Sequence, residues 1–226
     1  MRSMAEYEAV ALEYLAAGYQ AFTLDYSLLP AQHPQQLLEC AGAVAYLREN
    51  AEKYNIDPDC IALSGFSAGS HLAALLANKC HEESFLNLAK THKDAVRPNA
   101  IVLAYPPTAF DEPADCREMF RSLMDGRDDD ALLRQISPIH GVTGENPPTF
   151  MWHTFSDEMV DVRHSLNYAQ KLKEEGVKFE MHIFPDGPHA MGLCNEETAF
   201  SPEHLNPHAG QWFPLALKWL KLTLGR

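Results

Sequence analysis

Ser67 stands in Gly65-Phe66-Ser67-Ala68-Gly69, a G-x-S-x-G pattern with the apolar run Ile61-Ala62-Leu63 before it and a small-residue stretch after it. A serine hydroxyl is a weak nucleophile until a base takes its proton and a donor steadies the charge that its attack creates. A sharp strand-to-helix turn serves both needs. It presents the hydroxyl at its tip, and the helix behind it offers backbone N–H groups with no intrahelical acceptor. On this reading Gly65 and Gly69 are the flanking positions where a Cβ would clash. Ser67 is the nucleophile, and the N–H of Ala68 faces the developing oxyanion. The bland alternative is a glycine-bounded turn carrying an exposed serine.

A base and an acid have to be found elsewhere. Of eleven histidines, His189 alone follows the last strand-like segment in a loop, Phe184-Pro185-Asp186-Gly187-Pro188-His189, whose glycine and prolines can hold an imidazole over the sheet edge. His71 lies one turn beyond Ser67 on the same helix and reads as packing or surface. The loop after Trp152-His153 supplies Asp157 as the orienting carboxylate. Asp161 competes for that place but suits the start of the following helix, and Asp186 stands too near His189 in sequence to be its usual partner. The order Ser67, Asp157, His189 is that of α/β-hydrolases and differs from the two common serine-protease orders.

These residues need a scaffold that brings them together. Ser3 and Glu6 form a capping pair for a first helix through Ala11, Tyr14 and Leu15, which Gly18 stops. Strands are expected at Ala21–Tyr26, Cys60–Leu63, Ala100–Ala104, Thr149–His153 and Lys178–Phe184. Helices are expected after Pro34, from Ala68, from Arg163 to Glu175 with a stop at Gly176, and along Trp212, Leu215, Trp219 and Leu222. Strands alternating with helices predict a three-layer α/β sandwich on a reduced, mainly parallel sheet of about five strands. In such sheets the site lies at the carboxyl ends of the strands. Residues 1–226 are read as one domain with a cap-like insertion at about 106–146. In that insertion Met119, Phe120 and Met124 either wall a pocket or pack a short helix.

Acidic residues outnumber basic ones 31 to 18, and a net charge of −13 repels phosphate backbones, so nucleic acid is not an expected partner. No apolar run is long enough to span a membrane. Cys40, Cys60, Cys80, Cys116 and Cys194 are odd in number and widely spaced, which argues against a disulfide framework or a zinc site. With no apolar h-region at the N-terminus, a reducing, cytoplasmic location is expected. Neither G-x-G-x-x-G nor a P-loop occurs, and no cofactor or metal is expected.

The chain resembles the small serine esterases of the α/β-hydrolase superfamily of the acetyl-xylan-esterase-like and bacterial feruloyl-esterase-like kind. The matching stretches are Asp57-Pro58 leading into Gly65-Phe66-Ser67-Ala68-Gly69-Ser70-His71-Leu72-Ala73, then Pro147-Pro148-Thr149-Phe150 with Trp152-His153-Thr154 and Asp157, then Phe184-Pro185 with Gly187 and His189-Ala190-Met191-Gly192-Leu193. Ala16-Ala17-Gly18-Tyr19 and Asp25-Tyr26-Ser27 fit as well. The resemblance implies hydrolysis of short acyl esters, acetyl above all, on a carbohydrate or related alcohol. The rivals are a peptidase or thioesterase using the same three residues, and a hydrolase-fold binding protein of little or no activity. Such enzymes carry further strands and a Gly-rich loop, which lends a second oxyanion N–H, ahead of the helix that opens this sequence. Direct pairing of the strands at Ala21 and Cys60, a partner chain such as a second copy, or a longer gene product would each accommodate the difference. A compact sheet, stabilised by homodimerisation, is the expectation.

Overall fold

A computed structural model of the protein describes residues 4–111 and 116–225. Its sheet, among the described residues, has four strands: β1 (Ala62–Phe66), β2 (Ala100–Ala104), β3 (Thr149–Thr154) and β4 (Phe179–Phe184). They lie side by side in chain order and are parallel throughout. The helices are α1 (Met4–Ala16), α2 (Gln35–Glu49), α3 (Ala51–Tyr54), α4 (Ala68–Lys79), α5 (Glu83–Ala89), α6 (Lys93–Val96), α7 (Arg117–Leu123), α8 (Asp130–Gln135), α9 (Arg163–Glu174) and α10 (Trp212–Leu224).

The topology dictates the layers. Right-handed crossovers between parallel strands, repeated without a reversal of direction, put every crossover helix on one face. The other face is left to segments outside the crossovers. Accordingly Val10 and Tyr14 of α1 and Trp212, Phe213, Ala216, Trp219 and Leu220 of α10 cover Ala100, Val102, Ala104, Phe150 and Trp152. On the opposite face α4 and α9 cover Ile101, Leu103 and Met151. The alternation along β2 and β3 is the two-residue period of a strand buried on both sides. It also sends His153, two residues beyond Met151, to the α9 side.

The expected strand at Ala21–Tyr26 does not form, and the five-stranded count becomes four among the described residues. The segment's neighbours explain this. The N–H and hydroxyl of Ser27 donate to the Glu39 carboxylate at 2.7 and 2.6 Å, and Gln36 Nε2 donates to the carbonyls of Ser27 and Ala31. The Phe22 ring meets Tyr54 edge-on at 5.1 Å. The chain is thus tied to α2 and α3, and β1 remains an edge strand with Ala62 and Ser64 exposed. β1 itself starts two residues and ends three residues later than expected, because Ser64, Gly65 and Phe66 continue the ladder opposite Val102, Leu103 and Ala104.

Gly18 (φ +92°) ends α1 as expected, its N–H donating to Leu15 O and that of Tyr19 to Tyr14 O. The capping pair at Ser3 and Glu6 rests on Ser3, which lies outside the described residues. Leu222 departs from the buried stripe of α10 and is exposed. Between β2 and β3, Phe120 and Met124 sink into a cluster with Leu72, Leu76, Leu133 and Ile136, and Met119 packs against it. Core packing of a short helix is therefore their role.

Candidate active site

Ser67 follows β1 directly and caps α4 with φ +49° and ψ −116°, a conformation that L-residues rarely hold. Its own N–H donates to Ala104 O at 3.0 Å, and the N–H of His71 donates to Ser67 O at 3.1 Å. Ser70, fully buried, stitches the turn from below: its hydroxyl lies 2.6 and 2.8 Å from the carbonyls of Gly65 and Ala104 and accepts the N–H of Ala104 at 3.0 Å. A Cβ on Gly65 would press into the carbonyl of Gly69 and the nitrogen of Ser70, so glycine is required there. A Cβ on Gly69 would meet nothing within 4 Å. The expected steric need at Gly69 is therefore corrected: the crowding is one-sided, with β1 pressed against the first turn of α4 while Gly69 faces open space. Ala68, first residue of α4, has an N–H for which helix geometry provides no acceptor four residues back.

His189 lies five residues past β4 and reaches back over the carboxyl edge of the sheet. Its Nε2 is 2.7 Å from Ser67 Oγ and its Nδ1 is 2.7 Å from Asp157 Oδ2. A carboxylate only accepts, so Nδ1 carries the hydrogen and Nε2 is left to accept from the serine hydroxyl. The loop that holds the ring is tightly shaped. Gly187 sits at φ +146°, where a Cβ would run into the Met191 side chain. Thr154 Oγ1 donates to Gly187 O at 2.8 Å, and Gly187 N–H donates to Ser156 Oγ at 2.9 Å. Past the histidine, Gly192 N–H donates to the Tyr105 hydroxyl at 3.2 Å, and Trp212 Nε1 donates to Gly192 O at 2.9 Å. The Tyr105 ring also meets the imidazole edge-on, at 4.8 Å between centroids.

Asp157 is buried in the loop after β3. Its Oδ1 accepts the N–H groups of Met159 and Val160, both at 2.9 Å. Its Oδ2 is shared by His189 Nδ1 at 2.7 Å and His153 Nε2 at 3.1 Å. Burial pushes the carboxyl upward, but the hydrogen bonds from His153, His189 and the Val160 N–H, with the charge of His189, outweigh it. They hold Asp157 far below the usual carboxylate range. The acid is therefore ionised whenever the imidazole needs a counter-charge.

Ser67, Asp157, His189 and the Ala68 N–H thus meet at one rim of the sheet, as the chain order predicts. The other candidates fall elsewhere. His71 packs edge-on against Phe120 at 5.0 Å and places Nε2 2.6 Å from Ile136 O, where burial pushes it down to about 4 and keeps it neutral. Asp161 turns to Arg163, accepting its N–H at 2.8 Å and pairing with its guanidinium at 2.7 Å. Asp186 contributes its carbonyl to Asn206 Nδ2 at 2.7 Å. Sequence reasoning missed Tyr105, Thr154, Ser156 and Trp212, which shape the histidine loop, and His153, behind the acid. Each contact joins residues from different strands, loops or helices, and no local pattern announces it. The one available signal was strand parity, which sends a polar imidazole at His153 into the α9 face. Among the described residues, no group of three or more His, Cys, Asp and Glu could hold a metal ion, and no helix is long and apolar enough to cross a membrane.

Known proteins resemble this chain along most of its length. It is 32% identical over 197 residues to endo-1,4-beta-xylanase B of Butyrivibrio fibrisolvens, covering 85% of this chain and 31% of that one. It is 25% identical over 180 residues to the acetylxylan esterase of Xylanibacter ruminicola, covering 78% and 35%. The chain therefore spans about a third of the length of these two proteins. Among solved structures, the acetyl ester-xyloside bifunctional hydrolase from Caldicellulosiruptor lactoaceticus superimposes with a TM-score of 0.84 at 34% identity, over 99% of this chain and 78% of that one. MGS-M1, an alpha/beta hydrolase enzyme from a Medee basin deep-sea metagenome library, superimposes with a TM-score of 0.77 at 31% identity, over 99% of this chain and 79% of that one, and the four-stranded parallel sheet flanked by helices is an α/β-hydrolase fold. The family model described as BD-FAE matches residues 1–172, three quarters of the sequence, and the chain belongs to that family.

Proposed function

We propose that this chain is a serine esterase that cleaves short acyl esters, acetyl esters of a carbohydrate in particular, through an acyl-enzyme on Ser67. The observation that carries the reading is the unbroken chain of short contacts, 2.7 Å from Ser67 Oγ to His189 Nε2 and 2.7 Å from His189 Nδ1 to Asp157 Oδ2. Ser67 Oγ attacks the ester carbonyl carbon while its proton passes to His189 Nε2. Asp157 holds the imidazole in the Nδ1–H tautomer and balances the imidazolium. The Ala68 N–H steadies the tetrahedral oxyanion. Collapse expels the alcohol, which takes the proton from Nε2. Water, deprotonated by the same nitrogen, then attacks the acyl carbon, and its proton is returned to Oγ as the acid leaves. The acetyl and carbohydrate parts of the reading rest on likeness to the xylan-directed relatives.

Hydrolysis of p-nitrophenyl acetate, butyrate and octanoate by the parent protein and by Ser67→Ala tests the reading. The parent is expected to turn over the acetate fastest, and Ser67→Ala to be inactive on all three. Retained turnover in a folded Ser67→Ala protein overturns the assignment, and a preference for the octanoate overturns its short-acyl part.

A further inference from the structure

His153 is fully buried near the end of β3 and has a partner at each ring nitrogen. Its Nε2 lies 2.9 Å from Val160 O and 3.1 Å from Asp157 Oδ2. A carbonyl oxygen only accepts, so Nε2 carries the hydrogen and shares it with the carboxylate. Nδ1 lies 2.8 Å from the hydroxyl of Ser165, a fully buried residue in the first turn of α9. In the neutral ring Nδ1 is bare and accepts the Ser165 hydrogen, which fixes the tautomer from behind. Asp157 Oδ2 therefore receives N–H groups from two imidazoles, and Oδ1 receives two backbone N–H groups. All four donors come from different residues.

The charged and titratable surroundings leave His153 to this task. Asp161 in the same loop is bound to Arg163 at the head of α9. His164, next to Ser165, accepts the Thr108 N–H at Nδ1 and is pushed down to about 4 by burial, so it stays neutral. Just past β2, Tyr105 presents its ring at 6.5 Å. A phenylalanine would fill the same space without a polar atom to satisfy. A buried imidazole is tolerated where both nitrogens are matched, and here one match is the acid of the proposed triad.

We infer that His153 is a positioning residue, which pins the Asp157 carboxylate from the side away from substrate so that it is aimed at His189, with Ser165 holding the His153 tautomer. This rests on the triad reading above. Because His153 is fully buried, its loss should act on kcat and leave substrate binding alone. Removing a donor from Asp157 also concentrates its charge on His189, so the acidic limb of the kcat/KM profile should move to higher pH.

The test compares His153→Leu, His153→Gln and Ser165→Ala with the parent on p-nitrophenyl acetate, with Ser67→Ala as the zero and near-UV circular dichroism as the check of fold. His153→Leu is expected to lose roughly 10- to 100-fold in kcat, the scale of a misplaced catalytic group, with KM within about twofold and the acidic limb moved to higher pH. His153→Gln restores a donor near the Nε2 position and should recover most of the loss. Ser165→Ala removes one hydroxyl and little bulk, and decides the matter should His153→Leu fail to fold; it should cost about three- to tenfold in kcat and move the limb the same way. Parental kcat and pH profile in folded His153→Leu or Ser165→Ala overturn the inference, as does a His153→Gln protein as slow as His153→Leu. If Ser67→Ala remains active, the triad reading falls and the inference with it. If Ser67→Ala is dead and the His153 and Ser165 variants behave as the parent, the inference alone falls.

Discussion

Asp157 and His189, beyond β3 and β4, are held by several elements at once, while the stretch from Tyr19 to Leu29 forms no strand and is tied to helices instead. On the first side, four donors converge on one carboxylate. The histidine loop is tied to Thr154, Ser156, Tyr105 and Trp212. On the second side, Phe22, Leu24, Leu28 and Leu29 are 45%, 40%, 50% and 63% exposed, and among the described residues no strand pairs with the outer edge of β1. The contrast separates two parts of acyl transfer. Proton movement depends on angles and distances among side chains, and that side is over-determined. Oxyanion stabilisation on the reading above rests on the Ala68 N–H, and loss of one such donor typically costs roughly 100- to 1000-fold. Rate should therefore respond steeply to changes beyond β3 and β4 and weakly to changes along residues 19–29.

The largest expected effect is at the acid. Asp157→Asn keeps the shape but destroys the match with both imidazoles, and kcat should fall by about 10⁴-fold. A loss under about tenfold, measured on p-nitrophenyl acetate, would erase the distinction between the two sides. Next comes the elbow. Gly65→Ala drives a Cβ into the backbone of α4 and should cost about 1–3 kcal/mol, read as a drop in Tm of roughly 2–10 °C. Gly69→Ala, with open space around its Cβ, should leave Tm within about 2 °C.

Acid sensitivity follows from the buried imidazoles. Burial holds His71 and His164 down at about 4, whereas in the unfolded chain each takes a proton near 6.5. Between those values the unfolded state binds more protons, so stability is complete above about pH 6.5 and is lost as pH falls toward 4. Below that, protonation of Asp157, whose native form is depressed, adds to the loss. Tm measured from pH 7.5 to 4 should fall steadily, and a flat profile would contradict the packing of these rings. His71→Phe, if the fold accepts it, should flatten part of that slope.

Smaller effects sharpen the contrast. Thr154→Val removes one tether of the histidine loop and should lower kcat a few-fold, by the worth of a single hydrogen bond. Leu29→Ser, on the open side, should change neither kcat nor stability by more than about 0.5 kcal/mol equivalent. A larger effect of Leu29→Ser than of Thr154→Val would invert the account.

What the sequence made legible follows the same division. Gly65, Ser67 and His189 could be picked out because a tight turn and a proline-glycine loop write themselves into neighbouring residues. Asp157 was found by chain order and strand position. β1, β2 and β3 could be located from apolar runs, β2 and β3 being buried on both faces, and β4 from the alternation of Phe179, Met181 and Ile183. Ala21–Tyr26 has Phe22, Leu24 and Tyr26 at a strand's alternate positions, but pattern alone says nothing of whether a neighbouring strand is there to pair with, and Ser27 and Glu39 bind the segment to α2 instead. Gly69 was misread because a motif gives residue types and not the direction of a Cβ. Strand parity alone points His153 to the α9 face, and its partners stay hidden in the sequence because Asp157 and Ser165 meet it across a strand, a loop and a helix.

The central claim is a nucleophile activated by its neighbours, and active-site labelling reads it directly. Parent, Ser67→Ala and His189→Ala proteins are incubated with a fluorophosphonate, and the adduct is located by peptide mass mapping. The account predicts rapid, stoichiometric labelling of Ser67 in the parent, none at that peptide in Ser67→Ala, and labelling slowed by orders of magnitude in His189→Ala. A folded parent that stays unlabelled, or one labelled at another residue, would contradict it.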